Sequence, residues 1–85
     1  MDTLLRTGEV LVRYPKRKSS FYCDVRDGLF PAPVRLGLRS VAWPASEVEA
    51  IVQARIRGAT DAEIRDLVRE LHAKRLTAGL EREAA

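Results

Sequence analysis

The chain has 85 residues, enough for one small domain, and its apolar fraction of 46% and charged fraction of 32% are typical of a folded globular protein. It has no apolar run near the roughly 18 residues of a membrane span and no secretory signal pattern, so we expect a cytoplasmic protein. The lone Cys23 cannot form an internal disulfide, and with only His72 besides it the sequence predicts no metal site.

The charge is distributed unevenly along the chain. Residues 1–40 carry eight basic and four acidic side chains, a net charge of +4, whereas residues 41–85 carry seven and eight, a net charge of −1. The total of +3 therefore understates how basic the first half is. A basic half beside a nearly neutral one predicts one face for a polyanion and another for protein contacts, although a solvated surface would give the same composition.

Two short helices are predicted in the basic half. Residues 7–12 form the first, with Thr7 as its cap, and Pro15 ends it. Residues 16–27 form the second, in which Phe21 lies on an apolar face. Lys18, Tyr22 and Arg26 are four residues apart, a spacing that places them together on a neighbouring, solvent-exposed face of the helix. Gly28 ends this helix, because glycine readily adopts the left-handed conformation.

A β-hairpin is predicted next. Prolines 31 and 33 forbid a helix there, and residues 34–36 and 41–43 alternate apolar and other residues with a loop between them. A hairpin this short is marginal alone, so it must dock on the helices. We expect Trp43 to be the residue that anchors it.

Two further helices are predicted after the hairpin. Ser46 with Glu49, and Thr60 with Glu63, have the spacing of capping boxes. The third helix begins near Ser46 and is broken by an Arg-Gly-Ala stretch; the fourth runs from residue 61 to about 77. The side chains expected to face the core are Val48, Ile51, Val52 and Ile56 on the third helix, and Ile64, Leu67, Val68, Leu71 and Leu76 on the fourth.

The predicted fold is mainly α with a small β-hairpin, a winged helix-turn-helix plus a C-terminal helix. We assign residues 1–58 to the winged domain, 59–78 to the additional helix and 79–85 to a frayed tail. A short gap between two helices, the second of which is basic at its start, is typical of a DNA-reading helix-turn-helix. The candidate DNA-binding residues are Lys16, Arg17, Lys18, Ser19, Ser20, Tyr22, Arg26, Arg35 and Arg39.

The candidates differ in how DNA would be contacted. Basic side chains and serine hydroxyls at the start of the second helix are suited to base edges and phosphates in the major groove. Arg35 and Arg39 lie on the hairpin, which would contact the backbone or the adjacent minor groove. For each of them, simple exposure to solvent is the alternative interpretation. Tyr22 could equally pack at the edge of the core or donate its hydroxyl to a phosphate.

An enzyme is not predicted. The sequence lacks a glycine-rich phosphate loop and a nucleophile with a base beside it. Asp24 and Asp27 are more typical of ion-pair partners for nearby bases than of a catalytic pair. No cofactor is expected.

Residues 7–49 resemble the AlpA-like and phage excisionase family of MerR-type winged helices. The residues that carry the resemblance are Glu9–Leu11, Ser19–Tyr22, Arg26–Gly37, Arg39–Trp43 and Ser46–Ala50. The chain departs from the usual pattern at Pro15, Lys16 and Arg17, where the family has a glycine, an apolar residue and a serine, and at Cys23, where it has an arginine. The resemblance implies a DNA-binding domain whose second helix reads the major groove and whose hairpin is the wing.

Three functions are compatible with these observations. The resemblance implies the first two. The first is an excision factor that binds and bends attachment-site DNA, with self-association on adjacent sites, and directs a tyrosine integrase. The second is a transcription regulator that binds a promoter of a mobile element. The third is a protein-interaction module that binds no DNA. The partner expected for the first two is double-stranded DNA in the nucleoid, and none involves a membrane.

Overall fold

The fold was analysed in a computed structural model that describes the backbone of residues 2–84 and the side chains of residues 2–77. In chain order, the elements are β1 (Leu4–Leu5), α1 (Thr7–Arg13), α2 (Lys18–Arg26), β2 (Val34–Arg35), β3 (Val41–Pro44), α3 (Ala45–Ile56) and α4 (Asp61–Ala84). This order confirms the predicted fold class, a winged helix-turn-helix with a C-terminal helix. The fraying predicted for residues 79–85 falls outside the described side chains.

The sheet has three strands, one more than the predicted hairpin. β3 is central and pairs antiparallel with both neighbours, with Leu5 opposite Trp43 on one side and Arg35 opposite Val41 on the other. β1 was not predicted, because a strand of two residues is too short to show alternation. It extends the wing into a small sheet and ties the N-terminal segment to the middle of the chain.

The core lies between this sheet and the helices. Trp43 is fully buried, as predicted, and its indole Nε1 donates a hydrogen bond to the carbonyl of Pro31 at 2.8 Å. The rings of Phe21 and Phe30 pack edge-on against it, with centroids 5.3 and 6.4 Å away. The remaining fully buried apolar side chains come from α1, the segment before β2, β3, α3 and α4; they are Val10, Pro31, Ala42, Val48, Ile51, Ala54 and Ile64. The hairpin is therefore docked through an aromatic cluster that α2 shares.

Two predicted core residues are wrong. Ile56 is 73% exposed and Leu76 is 79% exposed. Ile56 lies two residues after Ala54, the last residue of α3 in the core, and Leu76 lies five residues after Leu71, the last buried residue of α4 among the described side chains. Because the domain is small, the apolar stripes of both helices extend further than the core that they cover.

Two predicted helix starts also need correction. α1 has Arg6, and not Thr7, at its cap position, where the Arg6 amide donates to the Glu9 carboxylate at 3.0 Å. α3 follows directly from β3 with Pro44 at its cap position, so the predicted box with Ser46 does not form. Ser46 lies inside the first turn, and its amide donates to Asp2 at 3.1 Å.

The second capping box forms as predicted. The Glu63 amide donates to the Thr60 hydroxyl at 3.2 Å, and the Thr60 amide donates to the Glu63 carboxylate at 2.9 Å. These hydrogen bonds lower the pKa of Glu63. They fix the start of α4, which continues to Ala84, beyond the predicted end near residue 77.

Candidate nucleic-acid interface

The turn between α1 and α2 spans residues 14–17 and is held by Tyr14. The Tyr14 side chain is buried, with its ring 4.9 Å from the ring of Phe30 and 6.4 Å from that of Phe21. The Tyr14 amide also closes α1 by donating to the carbonyl of Val10 at 2.8 Å. An aromatic side chain inside the turn therefore joins the two helices to the core. The sequence alone did not indicate this packing role of Tyr14.

Below the turn lies a charged network. Asp24 is buried on the inner side of α2, and one of its carboxylate oxygens accepts from the Tyr14 hydroxyl at 2.8 Å and from the Lys16 ammonium at 2.7 Å. Of the two roles considered for Asp24, this confirms the ion-pair partner, although in a buried place. Lys16 is thus engaged within the domain, and its contact with DNA stays a prediction.

This network changes the ionisation of Tyr14. Burial raises the pKa of Tyr14 to about 12, and the hydrogen bond to Asp24 and the charge of Asp24 act in the same direction, with Arg55 opposing them. The pKa of the phenol is higher in the folded than in the unfolded chain. The stability that the protonated phenol contributes is therefore fully present below pH ~10 and is lost as the pH rises through the folded value.

We predict that an alkaline titration will detect this shift. In a Tyr22→Phe background, where Tyr14 is the remaining tyrosine, the phenolate absorbance at 295 nm should rise only near pH 12. Adding Asp24→Asn should move the midpoint down toward ~10, because the neighbouring negative charge is removed. A midpoint that is the same in both variants would show that Asp24 does not influence the phenol.

The predicted second helix is two residues too long at its start. α2 begins at Lys18, with Arg17 in extended conformation at the cap position, and Lys16 precedes it in the turn. Lys16 lies in the turn before α2, where its side chain forms an ion pair with Asp24, so it does not belong to the helix. Arg17 remains exposed beside the first turn, so the basic end of α2 is formed by Arg17 and Lys18.

The face of α2 that was predicted to be solvent-exposed is exposed. Lys18, Tyr22 and Arg26 all face solvent, as does Ser19, while Ser20 is half-buried. Tyr22 is 41% exposed and packs one edge against Phe21, with the ring centroids 5.4 Å apart. Arg26 lies 3.3 Å from the Asp27 carboxylate, which raises the pKa of its guanidinium.

The wing carries the other two candidates. Arg35 on β2 and Arg39 in the following loop are both exposed. The Leu36 amide donates to the carbonyl of Ser40 at 2.8 Å, which closes the loop. Among the ion pairs formed within residues 2–77, none uses Arg17, Lys18, Arg35 or Arg39. These four side chains are therefore available to an anionic partner.

A family comparison covers this whole region. Residues 3–56 match the family described as prophage CP4-57 regulatory protein (AlpA). The chain belongs to this AlpA family. The matched residues include β1, both helices of the helix-turn-helix, the wing and α3, so the predicted resemblance to AlpA-like regulators is confirmed, while its MerR-type and excisionase parts stay predictions. The AlpA family consists of regulatory DNA-binding proteins and is not typically enzymatic.

A protein from a phage is also similar to this chain. The chain is 40% identical over 57 residues to "Uncharacterized protein ORF88" of Enterobacteria phage P4, covering 67% of this chain and 65% of that protein. No solved structure matches. The AlpA match ends at the last residue of α3, so α4 lies outside the part of the chain that defines the family.

α4 nevertheless braces the base of the wing, which sequence analysis missed. Arg75 forms an ion pair with the buried Glu47 of α3, and its guanidinium also donates to the carbonyl of Ala32 at 2.7 Å. The Ala32 amide donates to His72 Nε2 at 3.0 Å. These contacts join residues about 30 to 40 positions apart, and no local pattern in the sequence indicates them.

Two further observations on this AlpA-family chain concern metal binding and membranes. In the part of the chain that the structure describes, no group of three or more acidic, His or Cys side chains could hold a metal ion. None of the helices described is both long and apolar enough to cross a membrane.

Proposed function

We propose that the chain is a sequence-specific DNA-binding protein of a mobile element that places α2 in the major groove. The observation that carries this proposal is the two-sidedness of α2. Phe21 and Asp24 are buried on the inner side, while Lys18, Tyr22 and Arg26 line the outer side. A recognition helix needs this arrangement, because one face fixes the helix to the domain and the other reaches base edges and phosphates.

The proposed contacts differ along the interface. Arg17, Lys18 and Ser19 at the start of α2 contact base edges and the flanking phosphates, because this end of a recognition helix enters the groove. Tyr22 donates its hydroxyl to a phosphate, and Arg26 contacts the backbone further along the helix. Ser20 is half-buried and therefore contributes less to DNA contacts than its exposed neighbours.

The wing contacts extend this interface beyond α2. Arg35 and Arg39 follow the phosphates on either side of the adjacent minor groove, whose negative potential attracts arginine. They are exposed and outside the ion pairs of residues 2–77, which supports this role. Lys16 supports the turn through its ion pair with Asp24, and its direct contact with DNA stays a prediction.

Two tasks follow from such binding. The family description, a prophage regulatory protein, favours a transcription regulator that binds a promoter of its own element. The excision factor is the second candidate, because the sequence also resembles phage excisionases and the 40% identical relative belongs to a phage. Both tasks place the protein in the cytoplasm with the nucleoid, and the second adds self-association on adjacent sites.

A gel-shift titration on DNA tiled across the protein's own locus tests the proposal. The fragments should include the promoter and any attachment site, each at low and high salt. A single salt-sensitive band at a promoter supports the regulator, whereas a cooperative ladder at an attachment site supports the excision factor. No shift at low salt would contradict DNA binding and leave the protein-interaction module.

We predict that single basic substitutions at the interface reduce the salt dependence of binding. Lys18→Ala, Arg26→Ala and Arg39→Ala should each weaken binding, and the loss of one phosphate contact should lower the magnitude of the salt slope by about one. Lys74→Ala on α4 is the matched control, because it removes an exposed lysine outside the proposed interface. Unchanged affinity in all three interface variants would contradict the proposed orientation on DNA.

A further inference from the structure

The tip of the wing carries an apolar side chain that is almost completely exposed. Leu38 is 98% exposed, more than any other large apolar residue among the described side chains. It lies in the middle of the loop closed by the hydrogen bond between Leu36 and Ser40, so it projects from the end of the hairpin. Leu36, at the start of this loop, is half exposed.

The surroundings of Leu38 are cationic. The wing-tip sequence is Arg35-Leu36-Gly37-Leu38-Arg39, so an exposed arginine lies on each side of the leucine along the chain. Neither arginine takes part in the ion pairs formed within residues 2–77. An apolar tip between two cations matches the minor groove of DNA, where two phosphate backbones flank sugars and base steps into which apolar side chains insert.

We propose that Leu38 is a wedge that enters the minor groove and partly unstacks one base step, thereby bending the DNA. This inference rests on the proposed function and specifies what the wing does there. Arg35 and Arg39 hold the phosphates on both sides, and the leucine contacts sugars and base faces between them. Unstacking a step requires free energy, which is offset by the apolar contacts of Leu38 with the sugars and base faces.

The wedge and the arginines have different experimental signatures. Removing a phosphate-binding arginine lowers the salt slope, because fewer counterions are released. Removing an uncharged wedge lowers affinity and bending and leaves the salt slope unchanged. The comparison of Leu38→Ala with Arg39→Ala therefore separates the two contributions.

The test uses the full chain and the fragment bound most tightly in the tiling experiment. Affinity is measured at several salt concentrations, bending by energy transfer between dyes on the two DNA ends, and unstacking by 2-aminopurine fluorescence across the wing-contacted bases. Leu76→Ala on α4 is the matched control, since it makes the same change at a leucine that is 79% exposed. Leu38→Met should preserve the wedge, because it keeps an apolar side chain of similar volume.

We expect Leu38→Ala to lose about tenfold in affinity and most of the bend and the 2-aminopurine signal, with an unchanged salt slope, while Leu76→Ala and Leu38→Met behave like the wild type. Equal affinity and bending of Leu38→Ala and wild type would overturn the wedge and leave the proposed function intact. An equal loss in Leu76→Ala would also overturn it. If the wild-type chain binds none of the tiled fragments, the proposed function fails first, and the wedge fails with it.

Discussion

Trp43→Ala should unfold the domain or destabilise it by about 3–5 kcal/mol, the largest effect that we expect from one substitution. The indole is fully buried where β3, α2 and the segment before the wing meet. Its removal leaves a cavity beside Phe21 and Phe30 and leaves the buried carbonyl of Pro31 without its donor. Because small domains are stable by only about 5–15 kcal/mol in total, this loss is a large part of the whole.

Thermal and urea unfolding followed by circular dichroism measure this effect. A loss of 3 kcal/mol corresponds to a fall in Tm of more than about 12 °C for a domain of this size. Trp43→Phe is the control: it keeps an aromatic ring and loses the N–H donor, so we expect a smaller loss of roughly 1–3 kcal/mol. A Trp43→Ala chain that melts within a few degrees of the wild type would show that the wing does not depend on this cluster.

The anchoring role of Trp43 could be predicted because its signals are local. Trp43 ends an alternating segment, and two prolines before it exclude a helix. The same holds for the Thr60–Glu63 capping box and for the end of α2, where Gly28 adopts a φ of 78°. In each case the signal that allowed the prediction lies within a few residues along the chain.

The errors arose where distant contacts override local preference. Ser46 has a suitable capping sequence, but β3 leads directly into α3, and the Ala45 amide is already satisfied by the carbonyl of Thr3 at 2.7 Å. Lys16 looks like part of a basic helix, but the buried Asp24 holds it in the turn. β1 exists only because its two residues pair with β3. None of these partners could be identified from sequence spacing.

The proposed interface illustrates the same division. Periodicity alone placed Lys18, Tyr22 and Arg26 on one exposed face, and the structure has all three in solvent. The residues that hold this face in place could not be found that way. Tyr14 fixes the turn by packing on Phe30, a residue that lies 16 positions later in the chain. The surface that we propose for DNA could therefore be located from the sequence, whereas the residues that hold it in place could not.

The second large prediction concerns Arg75, which supports the base of the wing. Arg75→Ala should destabilise the domain by about 3 kcal/mol, because it leaves the Glu47 carboxylate buried without its cation. The Glu47 side chain is 8% exposed and the Arg75 side chain 24% exposed, and the Arg75 Nε lies 2.9 Å from one Glu47 oxygen. The carbonyl of Ala32 loses its donor as well. The partial exposure of Arg75 keeps the expected value at the lower end of the range for buried pairs.

The matched control lies on the same helix. Arg69 pairs with Asp66 one turn apart, and both side chains are about 70% exposed. Arg69→Ala should change the free energy of unfolding by less than about 0.5 kcal/mol, since exposed pairs contribute little. Equal losses for Arg69→Ala and Arg75→Ala would show that the effect comes from α4 itself and not from the buried pair.

A double-mutant cycle isolates the pair. Glu47→Ala with Arg75→Ala should cost less than the sum of the two single variants, because the double variant leaves no unpaired charge buried. Arg75→Lys should recover only part of the stability, since lysine cannot donate from a planar guanidinium to Glu47 and Ala32 together. Full additivity in the cycle would contradict the coupling. Coupling would instead show that α4, although outside the AlpA-matched residues, holds the base of the wing in the position from which Arg35 and Arg39 would contact DNA.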